Sequence, residues 1–135
     1  MECLFCQIVK GKIPSEVIFE NKRVLAFLDV NPCSNGHTVV IPKKHYEKLS
    51  QIPDKEVKNL FSVVVKLAGK IQKQMRAPAF NIGINDGEFA GQVIPHVHVH
   101  IIPRYKGDGG GSVHSIVQGR VNKNKLREIA EKIRR

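Results

Sequence analysis

Seven residues constrain the fold more than any other stretch: His96-Val97-His98-Val99-His100-Ile101-Ile102. Their alternation has the period of an extended strand, whose successive side chains leave on opposite faces. The three imidazoles then line one face, and the valines and Ile101 line the other. Neighbours in the row lie about 7 Å apart at Cα, so one phosphate group can touch two of them. An imidazole is near its titration point at neutral pH and can act as nucleophile, acid or base. Two other readings stay open on these residues alone. One is a core strand whose histidines happen to be exposed. The other is a catalytic zinc, since His-x-His on a strand is a common chelating pair.

The rest of the chain supplies this strand with a sheet and a helix. Val17 to Glu20 and Arg23 to Val30 read as strands around the turn Glu20-Asn21-Lys22. Asn31 to Gly36 is a loop, and His37 to Ile41 is a third strand that ends at Pro42. From Asp54 to Met75, apolar residues at Val57, Leu60, Phe61, Val64, Leu67, Ala68, Ile71 and Met75 repeat every 3.6 residues. That period predicts a long amphipathic helix, with Asp54 as its N-cap after Pro53. Phe80, Ile82 and Ile84 alternate with Asn81, Gly83 and Asn85, which predicts a strand able to pair with the histidine strand. Gly107 to Ser112 reads as a flexible surface loop, and Leu126, Ile129, Ala130 and Ile133 mark a C-terminal helix. This order argues for an α+β fold, a mainly antiparallel five-stranded sheet with the long helix on one face.

A chain of 135 residues fits one domain, residues 1–135, with a core that needs no disulfides. No run reaches the roughly 18–20 apolar residues of a membrane span, so no membrane partner is expected. The start, Met1-Glu2-Cys3-Leu4-Phe5-Cys6, lacks the basic and apolar regions of a signal peptide, so a cytoplasmic location is expected. Lys and Arg number 22 against 12 Asp and Glu, a formal charge of +10. That balance suits an anionic ligand or nucleic acid, and equally a solvated surface. Lys43, Lys44, Arg104 and Lys106 are candidates for drawing polyphosphate toward a cleft. The three cysteines, an odd number, suggest no disulfide framework, but Cys3 and Cys6 have metal-ligand spacing. Cys33 reads as a loop bystander.

Around the histidine row, Asn85 can donate an amide hydrogen to a phosphate oxygen. Gly91 and Gln92 stand just before the row, where a glycine lets backbone N–H groups approach a phosphate. The run Gly91-Gln92-Val93-Ile94-Pro95-His96-Val97-His98-Val99-His100-Ile101-Ile102-Pro103-Arg104 resembles the signature of the histidine triad family. The resemblance extends to Phe27-Leu28-Asp29-Val30-Asn31-Pro32 and to Gly36-His37-Thr38-Val39-Val40-Ile41-Pro42-Lys43-Lys44-His45. It covers about residues 3–105, leaving residues 106–135 as a loop and a basic helix of no assigned role.

The resemblance implies a homodimer with a joined ten-stranded sheet and with the long helices at the subunit interface. It implies hydrolysis or transfer of a nucleoside monophosphate, usually AMP, from phosphoramidates, acyl-adenylates or dinucleoside polyphosphates. His98 would be the nucleophile and form a covalent nucleotidyl-imidazole intermediate. His100 would contact the α-phosphate and leaving group, while His96 and His37 would support the nucleophile. Asp29 would hold the ribose hydroxyls, with a turn-capping role as the alternative. Leu4, Phe5, Ile8, Phe27 and Val30 would wall the base pocket, or else are plain core. Val93 stands where some members carry a hydroxyl residue, so only its N–H can serve the phosphate. Cys3, Cys6, His45 and His96 resemble a closed structural zinc site found in part of the family, with two small buried thiols as the alternative. No organic cofactor is expected. The competing function is a non-catalytic purine-nucleotide-binding or nucleic-acid-interacting regulatory module.

Overall fold

The computed structural model describes residues 2–135. Five strands form one sheet: β1 (Val17–Glu20), β2 (Val24–Leu28), β3 (Thr38–Pro42), β4 (Ala79–Gly83) and β5 (Val99–Arg104). Their spatial order is β1-β2-β3-β5-β4, and every pairing is antiparallel. A short helix α1 (Leu4–Val9) precedes the sheet, the long helix α2 (Asp54–Met75) lies between β3 and β4, and α3 (Leu126–Arg134) follows β5.

Periodicity decides which face each element buries. Leu60, Val63, Val64, Leu67 and Ile71 of α2 pack on Val24, Ala26, Val40, Val99 and Ile101 of the sheet. Their alternates Leu25, Phe27, Val39 and Ile41 bury on the opposite face, beneath Phe5 of α1. Strands β2 and β3 are therefore apolar on both sides, which is why they read as continuous rather than alternating runs. Each fully buried aliphatic side chain contributes roughly 1.5–3 kcal/mol. With six residues, α1 is too short to be stable by itself. It is held by Phe5 and by Cys3 Sγ, which accepts from the Cys6 N–H at 3.2 Å.

Three expectations need correction. Pro53, not Asp54, is the N-cap of α2, and no side chain caps that end. The Pro53 carbonyl already accepts from Glu56 and Val57, so Asp54 falls inside the first turn, where its charge favours the helix dipole. The histidine strand begins at Val99, so His96 and His98 precede it. The reason lies in the backbone: His96 N–H donates to Ile94 O and Val97 N–H donates to Tyr46 O, bonds that replace a strand ladder. Strand β4 stops at Gly83, leaving Ile84 and Asn85 beyond it. The remaining bounds differ by one or two residues at strand ends.

Residues beyond Tyr105 lie largely exposed, including Leu126, Ile129 and Ile133 of α3. Among the described residues, no helix is long and apolar enough to cross a membrane.

Candidate functional site

The face of β3 and β5 away from α2 carries the histidines, and backbone groups settle their tautomers. His98 is buried, and its Nδ1 lies 2.7 Å from the His96 carbonyl oxygen. A carbonyl only accepts, so Nδ1 carries the proton and Nε2 keeps its lone pair. At His37 the logic is reversed. The Cys33 N–H donates to His37 Nδ1 at 3.0 Å, so His37 holds its proton on Nε2. That nitrogen lies 2.9 Å from His100 Nδ1, which must accept, and His100 is left with an N–H at Nε2. The His98 and His100 rings lie 4.9 Å apart, centroid to centroid. The result is a lone pair beside a hydrogen-bond donor.

Both donors on this relay are neutral near pH 7. Burial pushes His100 down to about 4, helped by His98 and His37 as neighbouring bases. Burial also lowers His37, opposed by the nearby carboxylate of Asp29. Asp29 Oδ2 lies 3.6 Å from His37 Nε2, while Oδ1 accepts from the Asn31 N–H at 2.8 Å. The turn-capping role and a free second oxygen therefore coexist in one carboxylate.

His96 faces another way. Its Nε2–H donates to the Pro42 carbonyl at 2.8 Å, which aims Nδ1 at Cys3, Cys6 and His45. These four residues offer ligand atoms that all lie within 4.8 Å of one another, a group that can hold a metal ion. The nitrogen–sulfur separations are 3.3–3.6 Å and the two Nδ1 atoms are 3.3 Å apart. A tetrahedral ion with two sulfurs at ~2.3 Å and two nitrogens at ~2.05 Å has edges of about 3.6 Å and about 3.3 Å. The donor set therefore matches a closed S₂N₂ shell. Burial, and then the adjacent Cys3, push the Cys6 thiol up to about 11, a penalty that a bound cation would reverse.

The other sequence candidates scatter around this centre. Phe5 and Phe27 are buried and meet edge to face at 5.4 Å, and Ile8 packs on the same cluster. The Phe5 ring also stands edge-on to His98 at 5.1 Å. Val30 is 83% exposed, and Leu4 and Val93 are also on the surface. The Gln92 side chain is engaged as a brace: Oε1 accepts from Gly87 N–H, while Nε2 donates to the Glu47 and Ile94 carbonyls. The Gly91 and Gln92 N–H groups close the same turn onto Glu88 and Gly87. Gly91 has φ +89, a left-handed conformation that suits glycine, and Asn85 sits beside it at the rim. Two of the candidate steering cations are paired, Lys43 with Glu20 and Arg104 with Asp108.

Sequence reasoning missed the backbone partners, because the N–H of Cys33 and the carbonyls of His96 and Pro42 carry no residue signature. It also assigned no role to residues 108–116. These fold back over β4 and β5 and roof a chamber of about 430 Å³ that reaches His37 and His100. The available signal was Arg104 four residues before Asp108, leading into a glycine run.

The HIT domain matches residues 10–107. An uncharacterized HIT-like protein of Methanocaldococcus jannaschii is 50% identical over 107 residues, 79% of this chain and 82% of that protein. The adenosine 5′-monophosphoramidase HNT1 of Saccharomyces cerevisiae is 40% identical over 102 residues, 76% of this chain and 62% of that protein. Among solved structures, a HIT family member from Bacillus subtilis superposes with a TM-score of 0.88 at 40% identity, covering 99% of this chain and 96% of its own. A Zn-bound histidine triad family protein from Mycobacterium smegmatis superposes with a TM-score of 0.77 at 39% identity, covering 81% and 79%.

Proposed function

The chain belongs to the HIT family, and from that premise we propose that it hydrolyses nucleotide conjugates at the α-phosphate and releases a nucleoside monophosphate, AMP in the first instance. One observation carries the reading: the Nδ1–H of His98 is held by the His96 carbonyl, leaving the Nε2 lone pair beside the N–H of His100. A relative named as an adenosine monophosphoramidase supports the same chemistry.

In the first step His98 Nε2 bonds to phosphorus and the bond to the leaving group breaks. The leaving group departs with the electron pair. A carboxylate or phosphate leaves as the anion, and an amine leaves from a nitrogen that has taken a proton from solvent. His100 Nε2–H donates to a phosphoryl oxygen as charge builds there. In the second step water attacks phosphorus and the pair returns to Nε2. One proton passes to solvent, and the monophosphate is released. Asp29 Oδ2 receives a ribose hydroxyl, the base lies toward Phe5, Ile8, Phe27 and Val30, and Asn85, Gly91 and Val93 border the phosphate.

Zinc suits Cys3, Cys6, His45 and His96, because two thiolates and two imidazoles are its usual closed shell. Held there, it supplies charge neutralisation and a tether, while the chain's own histidines do the chemistry. The exposed Phe61 and Val65 on α2 support a homodimer, and the unpaired thiols are in keeping with a reducing, cytoplasmic setting.

The test is a single-turnover reaction with adenosine 5′-phosphoramidate labelled at phosphorus. We expect base-stable, acid-labile label on the protein early in the wild-type reaction and none in His98→Ala, which should still bind AMP. Turnover at the wild-type rate in His98→Ala would overturn the mechanism.

A further inference from the structure

Helix α3 carries an apolar stripe that the rest of the described chain leaves largely open. Leu126, Ile129, Ala130 and Ile133 recur at the spacing of one helix face. Leu126 is 66%, Ile129 47% and Ile133 80% exposed, so the stripe is not part of the core. A helix of nine residues is marginal in water without a surface to pack on.

The charges around the stripe are ordered. Successive residues turn roughly 100° about the axis, so the four apolar side chains fall within an arc of about 100°. Arg127 and Arg134 then stand at one border of that arc and Lys132 at the other, while Glu128 and Glu131 lie on the opposite side. Arg127 Nε lies 3.5 Å from Glu131 Oε1, but both side chains are exposed and such a pair holds them only weakly. Residues 120–135 hold seven Lys and Arg against two Glu, a balance of +5, and all of them but Ala130 are exposed.

This order selects among the surfaces that could cover the stripe. A second copy of this chain brings another +10, which repels the cationic borders. A nucleic acid takes the cations but presents phosphates, not hydrocarbon, to the apolar side chains. An anionic bilayer takes both. Its acyl region receives the stripe, the Lys and Arg stems reach outward to the lipid phosphates, and the glutamates face water. Among the described residues no helix can cross a membrane, but an interfacial helix lies in the plane of one instead.

We propose that α3 is an interfacial anchor that places the protein on anionic lipid membranes. The stripe is short, so the attachment is reversible and needs its apolar and its electrostatic parts together. It is independent of the reaction at His98.

The test is co-sedimentation of the full chain with vesicles, either of phosphatidylcholine alone or of phosphatidylcholine and phosphatidylglycerol in equal parts. We expect partitioning about tenfold or more stronger onto the anionic vesicles at low salt, weakening as salt is raised. Leu126→Gln with Ile133→Gln keeps the charge and a good helix former at both positions, and should cut that binding about tenfold or more. Lys132→Gln with Arg134→Gln should also weaken it, most at low salt. Equal partitioning onto the two kinds of vesicle, or none onto either, overturns the anchor. Anionic binding that survives Leu126→Gln with Ile133→Gln also overturns it, because the cations alone then account for it, as they would on a nucleic acid. Conversion of a dimer to a monomer by that same double variant, in sedimentation equilibrium without lipid, assigns the stripe to a second copy, and the anchor falls.

Discussion

A histidine becomes a particular reagent only when its surroundings decide which nitrogen holds the proton. Here one backbone carbonyl decides for His98, and one backbone N–H decides for His37 and, through it, His100. His37 is thus a positioning residue, and its variants should separate positioning from bulk. We expect His37→Ala to lower kcat about 10- to 100-fold with little change in KM. His37→Gln should recover part of that loss, because its amide oxygen can accept from Cys33 and its NH₂ can donate to His100. Equal defects in the two variants, by steady-state kinetics, would contradict the relay. The same burial sets a pH dependence. An unfolded histidine takes up a proton below about 6.5, whereas folded His100 does so only near 4. Between those values the unfolded state binds more protons, so stability rises with pH and is lost as pH falls. His37 is shifted in the same direction. We expect urea unfolding to show lower stability at pH 5 than at pH 7.5, by about 2 kcal/mol from His100. His100→Gln should flatten that difference.

At the scale of elements, α2 shows what a sequence makes visible. A 3.6-residue period over 22 residues marks a helix face that survives any tertiary context, and the observed helix has the expected bounds. Leu60, fully buried at its centre, should cost about 2–5 kcal/mol as Leu60→Ala, read as a shift in the denaturation midpoint. The alternation at 96–102 was equally visible, but its use was not. His96 and His98 lie before β5 because the carbonyl of Ile94, two residues back, and that of Tyr46, in a distant segment, take the hydrogen bonds that a ladder would need. Such bonds between distant segments have no periodicity to reveal them. The candidate metal ligands were legible by residue type, yet their convergence depends on α1 folding under β3, which spacing alone does not dictate. That convergence carries a test. If zinc ties α1 to the sheet, a strong chelator should lower Tm by several degrees and expose Phe5, and Cys6→Ser should mimic it with loss of bound metal. Unchanged Tm on chelation of a zinc-loaded sample would remove the clip.

At the scale of the whole molecule, the outer face of α2 leaves apolar side chains uncovered within one chain. Phe61 and Val65 lie one turn apart on that helix, Val65 is 70% exposed, and Ile82 on the edge strand β4 is exposed as well. A helix stripe and a bare strand edge are both surfaces that soluble chains usually cover. A second copy of this chain can cover both, joining sheets along β4 and helices along α2. Opposing this is charge, because two chains of +10 repel each other at long range. Apolar burial is insensitive to salt, whereas that repulsion is screened within a Debye length of about 10 Å at 0.1 M. The two terms therefore separate in one experiment. Sedimentation equilibrium should give about twice the 15.1 kDa chain mass, with the dimer tightening as salt is raised. Val65→Lys puts an unpaired charge into the joined face and should yield monomer at the same concentration, while leaving the far-UV spectrum intact. A wild-type chain that stays monomeric at high salt would overturn the dimer, and a Val65→Lys variant that dimerises as well as wild type would place the contact elsewhere.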